Sequence, residues 1–312
     1  MAEIFNILIF PGFLFLMTFG FIVEYVDRKI YARLQNRIGP PWFQPFADFI
    51  KLASKESIIP EEANPRIFKL MPILSLASAV TAILYIPLWK TEALYWFHGD
   101  IIVTLYLLTV PAIAFFLGGW YSTSLYSKIG AVRSMTQLFA YEVPLFISIL
   151  SPAVLANTWS LTEMTTFYNA HPWYWPFNIV GFFIAMIAML GKLEKVPFDI
   201  PEAETEIVAG TFTEYSGKFY ALFKLTLNIE AIVGSSLLAA VFLPFGLNIT
   251  GIAGFALFIA KILFIISMLA LSRTIFARFR IDQMIDFCWK YVSPVAFLQI
   301  LASLALKGFL PR

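Results

Sequence analysis

Residues 250–276, TGIAGFALFIAKILFIISMLALSRTIF, carry a single charge, Lys261, before Arg273 is reached. About 20 apolar residues wound as a helix cross a hydrocarbon core of roughly 30 Å. The run therefore reads as a membrane helix. Seven more runs satisfy the same rule, at about 4–26, 68–89, 100–121, 135–157, 174–193, 218–245 and 284–309. The expected fold is an all-α integral membrane protein with about eight transmembrane helices, forming one polytopic membrane domain over residues 1–312.

Composition agrees. Hydrophobic residues make up 60% of the chain, aromatic residues 17% and charged residues 13%, against roughly 25% charged in a soluble domain. A formal net charge of +2 implies no nucleic-acid partner; the lipid bilayer is the implied surroundings. Cys288 is the sole cysteine, and His98 and His171 are the only histidines. That set holds neither an internal disulfide nor an iron–sulfur cluster, and it argues against a metal site. Any redox cofactor is expected in a partner chain. The first run has no basic residue before it and no small-residue cleavage site, so it reads as a retained span.

Lysine and arginine divide unevenly between the loops. The segment after the first span holds Arg28, Lys29, Arg33, Arg37, Lys51, Lys55, Arg66 and Lys69, and the loops after spans three, five and seven add Lys128, Arg133, Lys192, Lys195, Lys218, Arg273, Arg278 and Arg280. The alternate loops offer only Lys90, and the aromatic residues Trp89, Tyr95, Trp96, Trp159, Trp173, Tyr174 and Trp175 cluster there. Basic loops face the cytoplasm and aromatic belts mark the interface, so both termini are expected outside. Within the cytoplasmic segment 27–67, Phe46, Phe49, Ile50 and Ala53 share one helical face and Asp48, Lys51 and Lys55 another. This predicts an amphipathic helix on the inner surface or docked on a partner, with a short cytosolic helix packed on another loop as the alternative.

Residues 193–217, LEKVPFDIPEAETEIVAGTFTEYSG, set six acids against Lys195 alone, an acidic cytoplasmic loop over 194–217. Asp199 is placed to cap a short helix with Pro201 in its first turn and Glu202 completing a capping box. Glu202 and Glu206, four apart, are expected on one face, where like charges repel unless proton sharing or cationic partners relieve them. From composition alone a solvated acidic loop explains the segment equally well.

The run Pro197-Phe198-Asp199-Ile200-Pro201-Glu202-Ala203-Glu204, followed by Glu214-Tyr215-Ser216, resembles the loop after the fifth helix in the membrane anchor subunit of the complex I and energy-converting hydrogenase superfamily. Three further blocks carry the resemblance: EYVDRKIYARLQNRIGP (24–40) with QPFADFIKL after it, GWYSTSLYSKIGAVRSMTQLFAYEVP (119–144) and RTIFARFRIDQMIDFCWKYVSP (273–294). The resemblance implies a non-catalytic subunit that clamps a cluster-bearing arm to the membrane and starts a carboxylate path toward antiporter-like membrane subunits. It implies Glu24, Asp27, Arg28, Arg33, Arg37, Arg278 and Arg280 at the rim where the arm docks. Glu24, Asp27 and Arg28 equally suit simple interfacial anchoring. Two departures set this chain apart from the quinone-reducing branch. The connection from Ala32-Arg33-Leu34-Gln35 to Gln44-Pro45 is short, with a single Gly-Pro pair, and the family's usual glutamate falls at Leu227, with Glu230 one turn later. The shorter form looks like the hydrogenase branch. It implies a NiFe-hydrogenase-like large subunit and an iron–sulfur small subunit as partners, which would carry the NiFe centre and the clusters.

An ionisable residue inside a span costs about 2.5–3.5 kcal/mol on translocon scales, so each needs a reason. Glu142, Lys224, Glu230 and Lys261 are the cases, either as paired structural charges or as a path for ions. With Asp199, Glu202, Glu204, Glu206 and Glu214 they form the expected coupling route. Counted from the ends of their helices, Glu230 lies about 18 Å up and Lys261 about 16 Å down, which predicts a direct or water-bridged contact. The expected function is coupling of electron transfer to proton or sodium translocation in a hydrogenase-type complex. A quinone-binding complex I subunit and a self-sufficient secondary transporter are the alternatives.

Overall fold

The computed structural model describes residues 2–309 apart from Asn248 and Thr250; the side chains of Ala2, Glu204, Thr205 and Phe309 lie outside the description. The helices in chain order are α1 (Ala2–Leu8), α2 (Phe13–Leu34), α3 (Gln44–Ser54), α4 (Pro65–Ala82), α5 (Asp100–Tyr121), α6 (Leu125–Ala156), α7 (Leu161–Ala170), α8 (Ile179–Lys192), α9 (Glu204–Ile207), α10 (Gly217–Phe242), α11 (Gly251–Ile275), α12 (Ile281–Phe287) and α13 (Ser293–Phe309). A π-helical turn, Cys288–Val292, joins the last two. Among the described residues eight stretches are long and apolar enough to cross a membrane: Glu3–Leu34, Pro65–Tyr85, Asp100–Tyr121, Leu125–Ala156, Pro172–Lys192, Gly217–Phe242, Gly251–Ile275 and Ile281–Gly308. The protein is thus an all-helical, multi-pass membrane protein.

Helix α10 is the axis of the bundle. Its most apolar stretch is 89% buried, against 28–61% in the other seven, and it packs against α2, α3, α4, α8 and α11. Small residues permit this. Gly234, Ser235, Ser236, Ala239 and Ala240 are all buried, a run of small residues of the kind that suits close packing where lipid supplies no hydrophobic drive between helices, and Gly234 makes room for the Met189 side chain. A second group forms around α6, which contacts α5, α8 and α13.

Three departures from the sequence reading have physical causes. Helix α6 starts at Leu125, ten residues before the predicted span, because residues 125–134 stay helical while packing on the turn Gly210–Phe212. An unpredicted helix, α7, fills the loop after it. The Asp100 carboxylate holds the start of α7, accepting from the Leu161 amide at 2.6 Å and the Ser160 hydroxyl at 3.1 Å, where a negative group suits the helix dipole. The capping box at Asp199 does not form: the helix begins at Glu204 with Ala203 as its N-cap.

Helix α3 has the expected amphipathic character, but it is more than a surface float. Phe46 and Phe49 meet the Phe21 ring at 5.8 and 5.4 Å, Asp48 pairs with Arg28 at 2.9 Å, and the helix also packs on α10. Phe46 and Ile50 stay about half exposed.

Candidate functional site

Where α2, α3 and α10 converge beside the acidic loop they enclose a cavity of about 450 Å³. Its wall is charged. Glu24 pairs with Arg28 and accepts from the Asn228 amide at 2.5 Å; Arg28 also holds Asp48. Asp27, only 4% exposed, is shared by Lys195 at 3.0 Å and Arg273 at 3.4 Å, which ties α2 to the loop after α8 and to α11. Glu202 reaches in from the loop to Lys224 at 2.7 Å, and the Lys224 ammonium also lies over the rings of Phe212 and Tyr220. The chain thus gathers Glu24, Asp27, Arg28, Glu202 and Lys224 around one space, although they come from segments some 200 residues apart.

Behind the cavity a line of polar groups enters the bundle. Glu194 lines the cavity, accepts from the Ser134 hydroxyl at 3.2 Å and has its other carboxylate oxygen buried without a hydrogen-bond partner. Burial first, then the nearby Glu202 charge, push the Glu194 carboxyl up to about 8, against the opposing pull of Lys224 and the Ser134 hydrogen bond. Tyr141, 4% exposed, packs against Gly191. Deeper still, Lys192 pairs with Glu230 at 3.0 Å, with both side chains no more than 2% exposed, and its ammonium also donates to the Leu108 carbonyl. One residue along α5, the Thr109 hydroxyl donates to Glu142 at 2.6 Å. Carboxylates, ammonium groups and hydroxyls are thus spread from the cavity wall to the middle of the bundle in separate contacts, and among the described residues no hydrogen bond joins Glu194 to the Lys192–Glu230 pair.

The other predicted residues lie elsewhere. Glu206 points away from Glu202, to the surface, and pairs with Arg133 at 2.6 Å; that hydrogen bond holds its carboxyl below the usual range. Asp199 meets Arg278 at 3.2 Å, and burial raises its carboxyl while Arg278 opposes the rise. Arg280 lines the shallow surface groove formed by Arg133, Glu206 and Arg278. Arg33 and Arg37 are exposed, Glu214 is half-buried and joins none of these pairs, and the Glu204 side chain lies outside the described residues. The expected shared helical face of Glu202 and Glu206 is thus corrected, since the helix begins after Glu202, while the cationic partners that would relieve their charges are present as Lys224 and Arg133.

The predicted Glu230 to Lys261 contact is also corrected. The Lys261 ammonium donates to the carbonyls of Leu243 and Phe245, each at 2.6 Å, and Leu243 lies about 20 Å along α10 from Glu230. The long lysine climbs toward the helix end rather than staying level with its own Cα. Glu230 instead takes Lys192, the last residue of α8, which sequence reasoning counted with the basic loop after the fifth span although that span was drawn to residue 193. One signal for Lys192 was present: a lysine at the end of a drawn span can turn its ammonium into the bundle. Glu194 and Asp100 had no comparable signal. Among the described residues no three His, Cys, Asp or Glu side chains converge as a metal site.

Residues 6–304 match a family model described as NADH dehydrogenase. The chain is 34% identical over 309 residues to the H-type subunit of NADH-quinone oxidoreductase from Carboxydothermus hydrogenoformans, covering 96% of this chain and 86% of that one. It is 32% identical over 295 residues to an H-type subunit of NADH-quinone oxidoreductase from Symbiobacterium thermophilum, covering 88% of each. A chain of the membrane-bound sulfane sulfur reductase, an archaeal respiratory membrane complex, superposes with a TM-score of 0.80 at 25% identity, over 93% of this chain and 96% of that one.

Proposed function

Because the chain belongs to the NADH dehydrogenase family, as a membrane subunit of the H type found in complex I-like oxidoreductases, we propose that it docks a cluster-bearing arm and couples that arm's electron transfer to proton or sodium translocation. One observation carries the coupling: the polar line from the cavity wall through Glu194 to the buried Lys192–Glu230 pair. A change of charge at the cavity alters the field on Glu194 and Glu202. Glu194, poised near neutrality, then takes up or releases a proton, and the Lys192–Glu230 pair passes the change toward Glu142 and the antiporter-like subunits. The groove of Arg133, Arg278, Arg280, Glu206 and Asp282 beside the acidic loop offers the arm charges of both signs, with Arg280 exposed.

The complex is proposed to be of the hydrogenase type. A NiFe-hydrogenase-like large subunit and an iron–sulfur small subunit would carry the NiFe centre and clusters, and this chain would hold none. The short connection before Gln44 and the likeness to the sulfane sulfur reductase chain support this branch. The names of the two relatives favour a second reading, in which the cavity receives a quinone. Assaying the purified complex for quinone reduction against hydrogen evolution separates the two. A self-sufficient transporter finds no support, since the relatives are named as oxidoreductase subunits.

The coupling reading is tested in proteoliposomes containing the whole complex. Glu230→Gln is expected to leave electron transfer running while ion translocation per electron falls by about tenfold or more, as loss of a proton-transfer group entails. Parental translocation in an assembled Glu230→Gln complex would make the pair purely structural.

A further inference from the structure

At the end of the bundle opposite the acidic loop, α8, the end of α10 and α11 frame an apolar groove of about 470 Å³, in which Lys261 alone of the expected coupling residues takes part. Phe182, Phe183, Phe242, Leu257 and Phe264 line it, and Phe183 and Phe264 are each about half exposed on membrane-spanning helices, so the groove opens toward lipid. Two polar side chains lie in its wall. Lys261 is 7% exposed and has no carboxylate partner among the described residues; two of its three N–H donors go to the Leu243 and Phe245 carbonyls. Asn178 is 1% exposed, and both its side-chain nitrogen, a donor, and its side-chain oxygen lack a hydrogen-bond partner.

We propose that this groove binds one anionic phospholipid, its phosphate on Lys261 and Asn178 and an acyl chain between the phenylalanines. The two carbonyl dipoles and the Phe245 ring, 4.7 Å from the ammonium, carry only partial charge, so they leave the lysine without a counter-ion where charge is costly. A phosphodiester supplies the missing negative charge and accepts the remaining ammonium proton, and the Asn178 amide can donate to a second oxygen. Geometry sets the depth. Lys261 is rooted ten residues inside α11, about 15 Å from its start, yet its ammonium reaches the Phe245 carbonyl near the helix end, the level of a headgroup rather than of mid-membrane. A single cation beside a narrow apolar wall suits one phosphodiester.

The test uses the assembled complex, stripped of lipid in detergent and returned to dioleoylphosphatidylglycerol, with native mass spectrometry reading the lipid ejected together with this subunit. The parental chain is expected to retain one phosphatidylglycerol. Lys261→Met should lower retention by about tenfold, the scale of one charge-assisted hydrogen bond, and Lys261→Arg should keep it. Ala260→Trp, a substitution on the exposed groove wall that leaves the ammonium in place, should lower retention equally. Dioleoylglycerol, with the same chains and no phosphate, should bind the parent no better than phosphatidylglycerol binds Lys261→Met. Equal retention of dioleoylglycerol, displacement of the lipid by inorganic phosphate, parental retention by Ala260→Trp, or an Ala260→Cys crosslink to a partner helix seated in the groove would each overturn the proposal. Should Lys261→Met fail to assemble, the Ala260→Trp result decides. Retention is scored without turnover, so it stands apart from the coupling reading.

Discussion

Lys192 and Glu230 are each almost wholly removed from solvent, and their 3.0 Å contact sets each group against a partner of opposite charge there. Removing one partner strands the other. Lys192→Met is expected to destabilise the protein by about 3–5 kcal/mol, whereas Lys192→Met combined with Glu230→Leu should recover most of that loss. Thermal unfolding of the four members of the cycle in one detergent checks it; equal losses in the single and double variants would mean that the pair is not the source. Glu194 gives a pH signature. Its carboxyl ordinarily titrates at 4.5 and in the fold at about 8, so the folded state holds a proton that the unfolded state has lost across that interval. Its contribution to stability is therefore full below 4.5 and declines as the pH rises toward 8. Glu194→Gln is expected to flatten that decline, and an infrared band of protonated carboxyl titrating near pH 8 in the parent should vanish in the variant.

Between elements, two glycines show how the neighbour decides the outcome. A Cβ at Gly130 on α6 would lie 2.5 Å from the Thr211 amide nitrogen and 2.6 Å from the Gly210 carbonyl carbon, backbone atoms of the turn that α6 supports. A Cβ at Gly234 on α10 would meet only the flexible end of Met189, its Cε at 2.1 Å. Alanine in a helix gains about 1 kcal/mol over glycine, which offsets a shifted methionine but not a displaced backbone. Gly130→Ala should therefore cost about 3 kcal/mol and Gly234→Ala about zero, read as melting temperatures; similar shifts for both would refute the distinction. Such contacts also mark how far the sequence could be read. The spans were legible because 20 apolar residues have one solution in lipid, and the amphipathic α3 was legible from its period. Asp199 and Glu202 were misread as a cap because Arg278, 79 residues later, and Lys224, 22 residues later, outcompete the local helix start. The Lys261 contact was misplaced because depth along a helix fixes neither its rotation nor the reach of a lysine side chain.

For the whole molecule, the structure gathers Lys51, Lys195 and Arg273 around the cavity at one end and sets Trp173, 87% exposed, in the connection at the start of the fifth span. On the expectation that basic loops face the cytoplasm, Lys51→Cys should react with a membrane-impermeant maleimide only from the cytoplasmic face of oriented vesicles, and Trp173→Cys only from the other. Reversed labelling would turn the docking face outward. The burial of α10 also bears on how the chain is made. Lys224, Asn228 and Glu230 raise the cost of inserting α10, a helix otherwise apolar enough to span, and their partners Glu202, Glu24 and Lys192 all precede it in the chain. Order of synthesis therefore favours the axis of the bundle: it reaches the membrane with partners for its polar groups already made, and α11 closes on it afterwards.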